Sequence, residues 1–465
     1  MSHQQIDLVH TYAQEHVEAT IERLSRYLTT PAISCDAAHH ADVLSLAASI
    51  KGDLQQLGMD NVRLCELEDA LPLVAAEWCR AGADKPTVLI YGHLDLQPVK
   101  GEPWKTPPHQ PTRIGDRLYA RGVADDMGGW VSHLAALEAW FQVAGELPLN
   151  VKLIIESEEE IGSPNLERYM DAFPEVFDAD VMVLTDCENP SSEIPGLTVS
   201  LRGLCEVEVV CEALQSDVHS GLWGNMAPDV SMALIKLLAR LVDDDGRMAH
   251  CRLDVPDDWR QETQGIVTDA DVRSGAGLLP GVEPLPQHGR APAEWLWRQP
   301  AVMVLSTTLP RADEAKNALR SRASATLSIR IAPGQTREDI RAHLETVLRQ
   351  DVPGGVKVTL IDRPTHAESW LYTPQGPAFD AADRAYEKAW GRPLLPIGVG
   401  GSIPFVALFG HRFGDLPLIL NGVMDPETGA HGPNESLHLG VFKKAIMANV
   451  YLLDELSGLS ALVRG

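Results

Sequence analysis

Apolar residues recur along the chain in two rhythms. From Gln5 to about Leu28 they fall at Val9, Tyr12, Val17, Ile21 and Leu24, the spacing of a helix with one buried face, and "TTPAIS" ends it. Short continuous runs follow, "TVLIYG", "NVKLIIE", "ADVMVLTD" and "LPLILNG", with helical stretches such as 127–143 between them. Unbroken apolar strands alternating with helices predict an α/β fold, a mostly parallel sheet with helices on both faces. From about Leu201 the rhythm changes. "LRGLCEVEVVCEA" and "ASATLSIRIAP" alternate polar and apolar positions, as half-buried antiparallel strands do, and a helix is expected around 228–242 between them. Residues 244–300 are irregular and rich in Asp, Pro, Gly and Trp. The pattern therefore predicts a first domain of residues 1–200 and 373–465, interrupted by a smaller α+β domain at 201–372.

Composition narrows the classes. A chain of 465 residues with 45% hydrophobic and 22% charged residues can bury more than one core. Its net charge of -26 disfavours nucleic acid and anionic membrane surfaces as partners. No apolar run reaches the roughly 18–20 residues of a membrane span, and "MSHQQIDLVH" lacks the features of a signal peptide, so the expected address is the cytoplasm. Seven cysteines without a CxxC pair suit reduced thiols rather than a disulfide framework.

The polar residues that follow the apolar runs carry the chemistry. His93 and Asp95 follow "TVLIYG"; Asp125 and Asp126 precede a helix; Glu158, Glu159 and Glu160 follow "VKLIIE". Asp186 follows "VMVLT", and His431 lies between "LPLIL" and the last helix. Each alone has an ordinary reading as a cap, turn or solvated residue. Together they place carboxylates and imidazoles at the carboxyl ends of strands, the edge where open α/β sheets bind ligands. Converging carboxylates are costly unless cations offset the repulsion, and nitrogen and oxygen donors without thiolate favour zinc, manganese or cobalt. Two such ions with a free carboxylate beside them make a hydrolytic site.

The segments "GHLDLQPV", "LYARGVADDMGG", "ESEEEIGSPNL", "LRGL", "DVHSGLWG", "SIRIAP", "GGSIP" and "GAHGPNESL" occur in the order found in a family of dinuclear metallopeptidases and amidohydrolases. It includes carnosine dipeptidases, glutamate carboxypeptidases, aminoacylases and succinyl-diaminopimelate desuccinylase. The chain resembles it from about residue 15 to 455, most closely its dipeptidase branch. The resemblance implies a phosphorylase/hydrolase-like catalytic domain with an inserted ferredoxin-like lid and dimerisation domain. It implies that His93 and Asp186 bind one divalent ion and Glu160 and His431 another, zinc by preference, with Asp125 bridging. Asp95 would orient His93, and Glu159 would be the general base toward a water shared by the ions. The Asp125–Asp126 peptide bond would be cis.

In the same way, His219 would reach the active site of the other subunit of a homodimer and donate a hydrogen bond to the developing oxyanion. Arg330, with Gly401 and Ser402 of the glycine loop, would bind the substrate's free carboxylate. "KNALRSRASATLSIR" departs from the pattern, which leaves Asn317 without an assigned contact. Residues 244–300 match no segment of it, and Trp259, Trp295 and Trp297 there are read as lid packing or pocket lining, with packing preferred. The expected activity is hydrolysis of the amide bond of a small peptide next to a free carboxylate. The competing readings are an N-acyl-amino-acid deacylase with the same site and a non-catalytic metal-binding dimer.

Overall fold

A computed structural model describes residues 3–401, 404–414 and 416–462. The chain divides into two compact units, Met1–Val199 with Thr373–Ile397 and Leu408–Gly465, and Ser200–Tyr372 with Gly398–Ala407. The segment that contains Gly401 thus clusters with the second unit.

The first unit is built on a six-stranded sheet. Its strands are β1 (Asp60–Cys65), β2 (Leu73–Trp78), β3 (Thr87–His93), β4 (Asn150–Glu156), β5 (Val181–Leu184) and β6 (Leu418–Leu420). They lie in the order β1-β2-β4-β3-β5-β6. β4, β3, β5 and β6 run parallel, whereas β1 and β2 form an antiparallel edge. The four apolar runs are the four parallel strands, and β3 is buried from Val88 onward because both sheet faces are covered. The helix Met127–Ala144 is buried almost all round, including Trp130 and Trp140, which accounts for its lack of a polar face. The expected first helix is two helices, His3–Glu15 and Val17–Leu28, broken at His16. An apolar period of 3.6 continues through such a break, so periodicity alone does not reveal it.

The second unit holds a four-stranded antiparallel sheet, in the order Ala301–Thr307, Arg322–Ile331, Gly203–Glu212, Lys357–Ala367. Alternation places Cys205, Val207 and Val209 with Ala325, Leu327 and Ile329 in one core, closed by the helices Val230–Ala239 and Arg337–Arg349 through Leu234, Leu237, Ile340 and Leu344. The segment 244–300 supplies three short helices, Asp257–Thr263, Asp269–Gly275 and Pro292–Trp297.

Candidate metal centre

The parallel strands deliver their polar residues to one edge of the sheet. His93 ends β3, fully buried; Asp186 lies two residues beyond β5; Glu160 sits in the single turn Glu159–Ile161 just after β4. Gly92 makes room for this. A Cβ there would fall 2.7 Å from Asp126 Oδ2 and 2.8 Å from Trp130 Cδ1. His431 adopts a left-handed backbone, φ 61°, in the loop after β6. The Asp125–Asp126 peptide bond is cis, as the resemblance implied.

Two groups of potential ligands result, His93 with Asp125 and Asp186, and Asp125 with Glu160 and His431, each with donor atoms within 4.8 Å of one another. Asp125 belongs to both. Its Oδ1 lies 3.2 Å from His93 Nε2 and its Oδ2 lies 3.0 Å from His431 Nε2. Asp186 Oδ2 is 3.9 Å from the same His93 nitrogen, and Glu160 Oε2 is 3.2 Å from His431 Nε2. The five residues predicted as ligands are therefore brought together, in the predicted pairs.

The electrostatics of the cluster call for cations. Burial pushes the carboxyls of Asp186, Glu159 and Glu160 up, and in each the Asp125 charge adds to the effect. His431 is pushed up to about 11 by its hydrogen bonds to Asp125 and Glu160. Burial opposes a proton on His93, yet the hydrogen bonds to Asp125 and Asp95 prevail and raise it. Both shifts arise from carboxylates converging on the imidazoles. Glu160 Oε1 and Asp186 Oδ1 are buried and have no hydrogen-bond partner among the described residues. A buried carboxylate oxygen left unpaired is costly, and a divalent ion among neutral imidazole and carboxylate donors satisfies it. These residues fit a metal site with nitrogen and oxygen ligands.

The surroundings fix the candidate ligands. Asp95 Oδ1 lies 3.4 Å from His93 Nδ1. The Asp95 carboxylate also accepts hydrogen bonds from Ser34 Oγ at 2.6 Å and from the backbone N–H groups of Glu159 and Glu160 at 3.2 and 3.0 Å. It thereby ties the glutamate turn to the end of β3. The three adjacent glutamates separate by their contacts. Glu158 accepts from the Leu71 backbone N–H and from Asn165 Nδ2, turned toward the protein; Glu160 faces His431; the burial of Glu159 raises its carboxyl well above the usual range.

Sequence reasoning missed Glu435. It is fully buried, accepts the backbone N–H groups of Gly122, Ala124 and Asp125, and pairs with Arg121. It holds the loop that presents Asp125. Burial, then the nearby Asp125 charge, pushes its carboxyl up to about 7. Its signal was its place in "GAHGPNESL", four residues past His431. Asp126 was also unassigned; its Oδ2 accepts from the His93 backbone N–H and from Thr185 Oγ1.

The remaining predicted residues belong to the second unit. His219 is exposed on a two-residue strand paired with Ala318–Leu319, and its Nδ1 accepts the Gly221 N–H at 3.1 Å. Arg330 lies on the strand Arg322–Ile331, opposite Leu204 on one side and Ala301 on the other, partly buried. Gly401 is partly buried, and among the described residues a Cβ there would lie 3.8 Å from Val399 Cγ1. Ser402 lies outside the described residues.

Comparison with known proteins agrees with this geometry. The cysteinylglycine-S-conjugate dipeptidase of Corynebacterium striatum is 32% identical over 402 residues, 86% of this chain and 87% of that protein. The Beta-Ala-His dipeptidase of Homo sapiens is 27% identical over 393 residues, 79% of this chain and 75% of that one. Among solved structures, human carnosine dipeptidase 1 superposes with a TM-score of 0.78 at 23% identity, covering 98% of this chain and 99% of that one. An M20 family metallo-carboxypeptidase of Sulfolobus solfataricus gives a TM-score of 0.77 at 25% identity, covering 95% of this chain and 99% of that chain. Residues 89–455 match the peptidase family M20/M25/M40, and they include the whole cluster of candidate ligands. The chain belongs to that family and is a metal-dependent hydrolase.

Proposed function

We propose that this chain is a dinuclear metallo-dipeptidase that cleaves the amide bond next to the free carboxylate of a dipeptide or small peptide. The observation that carries this reading is the pair of ligand groups sharing Asp125, with unpaired carboxylate oxygens in both. His93 and Asp186 would hold one ion, Glu160 and His431 the other, and Asp125 both; zinc suits this donor set, as do manganese and cobalt. Such ions, when bound, supply Lewis acidity and make water easier to deprotonate. Glu159 then takes a proton from the attacking water and delivers it to the leaving amine. Arg330 offers a planar fork to the substrate's carboxylate, and the resemblance adds Gly401 and Ser402 as further contacts. The dipeptidases among the relatives support a free dipeptide over an N-acyl amino acid. A panel of dipeptides with free amino termini, run beside N-acetyl and N-succinyl amino acids, tests this. We expect kcat/KM to favour the dipeptides; hydrolysis of the acyl amino acids alone would reverse the reading.

We also propose a homodimer in which His219 serves the other subunit. An Nδ1 that accepts the Gly221 N–H leaves the proton on Nε2, so the exposed edge of the ring is a hydrogen-bond donor, as an oxyanion requires. Apolar side chains surround it in the sequence, with Leu222, Trp223 and Met226 exposed by 75%, 54% and 84%. The edge strand Ala301–Thr307 exposes Met303, Val304 and Leu305 as well. Such surface favours burial against another chain. Mixing inactive His219→Ala subunits with inactive Glu159→Gln subunits is expected to restore part of the activity. Heterodimers that form and stay inactive would remove the shared site. Among the described residues no helix is long and apolar enough to cross a membrane. The free cysteines support our placement of the protein in the reducing cytoplasm.

A further inference from the structure

The segment "HLDLQ", residues 93–97, has one polar member without a role so far, Gln97. Polar and apolar residues alternate through it, the period of an extended chain. The backbone keeps that path past the end of β3: the Leu94 N–H donates to Glu156 O at 2.8 Å and the Leu96 N–H to Ala32 O at 3.0 Å. Leu94 and Leu96 are buried in the core, while His93, Asp95 and Gln97 turn toward the carboxylate cluster. His93 and Asp95 are fully buried, and Gln97 is partly buried.

Gln97 meets the cluster at Glu160. Its Nε2 donates to Glu160 Oε2 at 2.7 Å and lies 3.3 Å from the Glu160 carbonyl oxygen. Both partners are acceptors, so the amide nitrogen, not the oxygen, must face Glu160. Asp95 accepts the Glu160 backbone N–H at 3.0 Å. Glu160 is thus held at two points, its backbone by Asp95 and its carboxylate by Gln97. The same Oε2 lies 3.2 Å from His431 Nε2, and Oε1 has no hydrogen-bond partner among the described residues. A neutral amide suits this place, because it orients the carboxylate through one oxygen and leaves the negative charge for a cation; a lysine or arginine would neutralise it. The two ligand groups also differ in their surroundings. His93, Asp125 and Asp186 are all buried, whereas Glu160 is partly buried and His431 exposed. Packing fixes the exposed pair less, so a hydrogen bond to Glu160 matters more there.

We propose that Gln97 is the positioning residue of the metal position formed by Glu160 and His431: it fixes the Glu160 carboxylate through one oxygen and takes no part in holding an ion at His93 and Asp186. This rests on the two-ion reading and adds a residue to it. The test measures zinc affinity, by competition with a chromophoric chelator, in two proteins that each keep one position. His93→Ala keeps the Glu160 position and His431→Ala keeps the His93 position; each is made with Gln97 and with Gln97→Leu. Gln97→Leu should weaken zinc binding by about 10–100-fold in the His93→Ala protein and leave it unchanged in the His431→Ala protein. A general loosening of the fold would weaken both alike. Equal losses in the two, or no loss in the first, would overturn the proposal. Thermal unfolding serves as the control for folding, and Gln97→Met replaces Gln97→Leu if that variant unfolds. Crystal structures of the metal-free wild type and the Gln97 variant give a readout that needs no zinc: the Glu160 carboxylate should leave His431 in the variant alone. No zinc bound by the wild type would sink the two-ion reading. In that case, or if the His93→Ala protein binds none, the structures decide: a Glu160 carboxylate that moves in the folded variant supports the role of Gln97, and one that stays beside His431 overturns it.

Discussion

Glu159→Gln is expected to lower kcat/KM for dipeptides by about 10²–10⁴-fold, the usual contribution of a positioned general base, while metal content stays at the wild-type level. Glutamine keeps the shape of the side chain, and it keeps the Glu159 backbone N–H that Asp95 accepts. Hence the glutamate turn and the neighbouring Glu160 stay in place. What disappears is the acceptor for the proton of the attacking water. Burial already pushes the Glu159 carboxyl up, with Glu160, Asp95 and Asp125 reinforcing it and His93 opposing. A carboxylate raised above its usual range is better matched to taking a proton from water and releasing it to an amine. Steady-state kinetics with metal analysis on the same sample check this. A variant that kept more than a tenth of wild-type activity would assign the proton transfer to another group.

Asp125→Asn is expected to cost still more, because it acts on both ligand groups at once. One oxygen of Asp125 faces His93 and the other faces His431. The amide removes a negative charge and replaces one acceptor by a donor directed at an imidazole. The two ions would then lose a shared anionic ligand while keeping the mutual repulsion it offset. Bound metal should fall below one ion per chain after dialysis, and activity should fall by about 10³-fold or more, since the ions' stabilisation of developing charge is several kcal/mol and each 1.4 kcal/mol is about tenfold. His93→Ala should empty one position and leave the other measurable. Asp125→Asn protein that retained both ions would show that Asp125 does not bridge.

Much of this centre was legible in the chain because it is assembled from strand ends. A continuous apolar run locates a parallel strand, and the residues that end or follow it are carried to the edge of the sheet; that rule places His93 and Asp186 there, and the resemblance adds their role as ligands. Glu160 could not be distinguished from Glu158 and Glu159 in the same way. Three adjacent glutamates differ only by what the fold sets against each, and Leu71 and Asn165, which claim Glu158, come from a separate loop and from the turn beyond. Glu435 was hidden for a related reason. Its partners, Gly122 to Asp125, are more than 300 residues earlier, and no local period marks a residue whose purpose is to close a distant loop. The antiparallel edge of β1 and β2 escaped notice because β1 carries no unbroken apolar run and that of β2, Leu73 to Ala76, is only four residues long and half alanine. Packing and pocket lining could not be separated for Trp295, which lines a cavity of the second unit, because tryptophan in an irregular segment has no pattern that distinguishes wall from core.

The account stands on two metal ions held together by Asp125 and used for peptide hydrolysis. Titrating metal-free protein with zinc or manganese, while following both ions bound and cleavage of a dipeptide such as β-alanyl-histidine or cysteinyl-glycine, measures that directly. Activity should rise only as the second site fills and reach its plateau at two ions per chain. Full activity at one ion per chain, or two ions bound with no cleavage of any dipeptide offered, would contradict it.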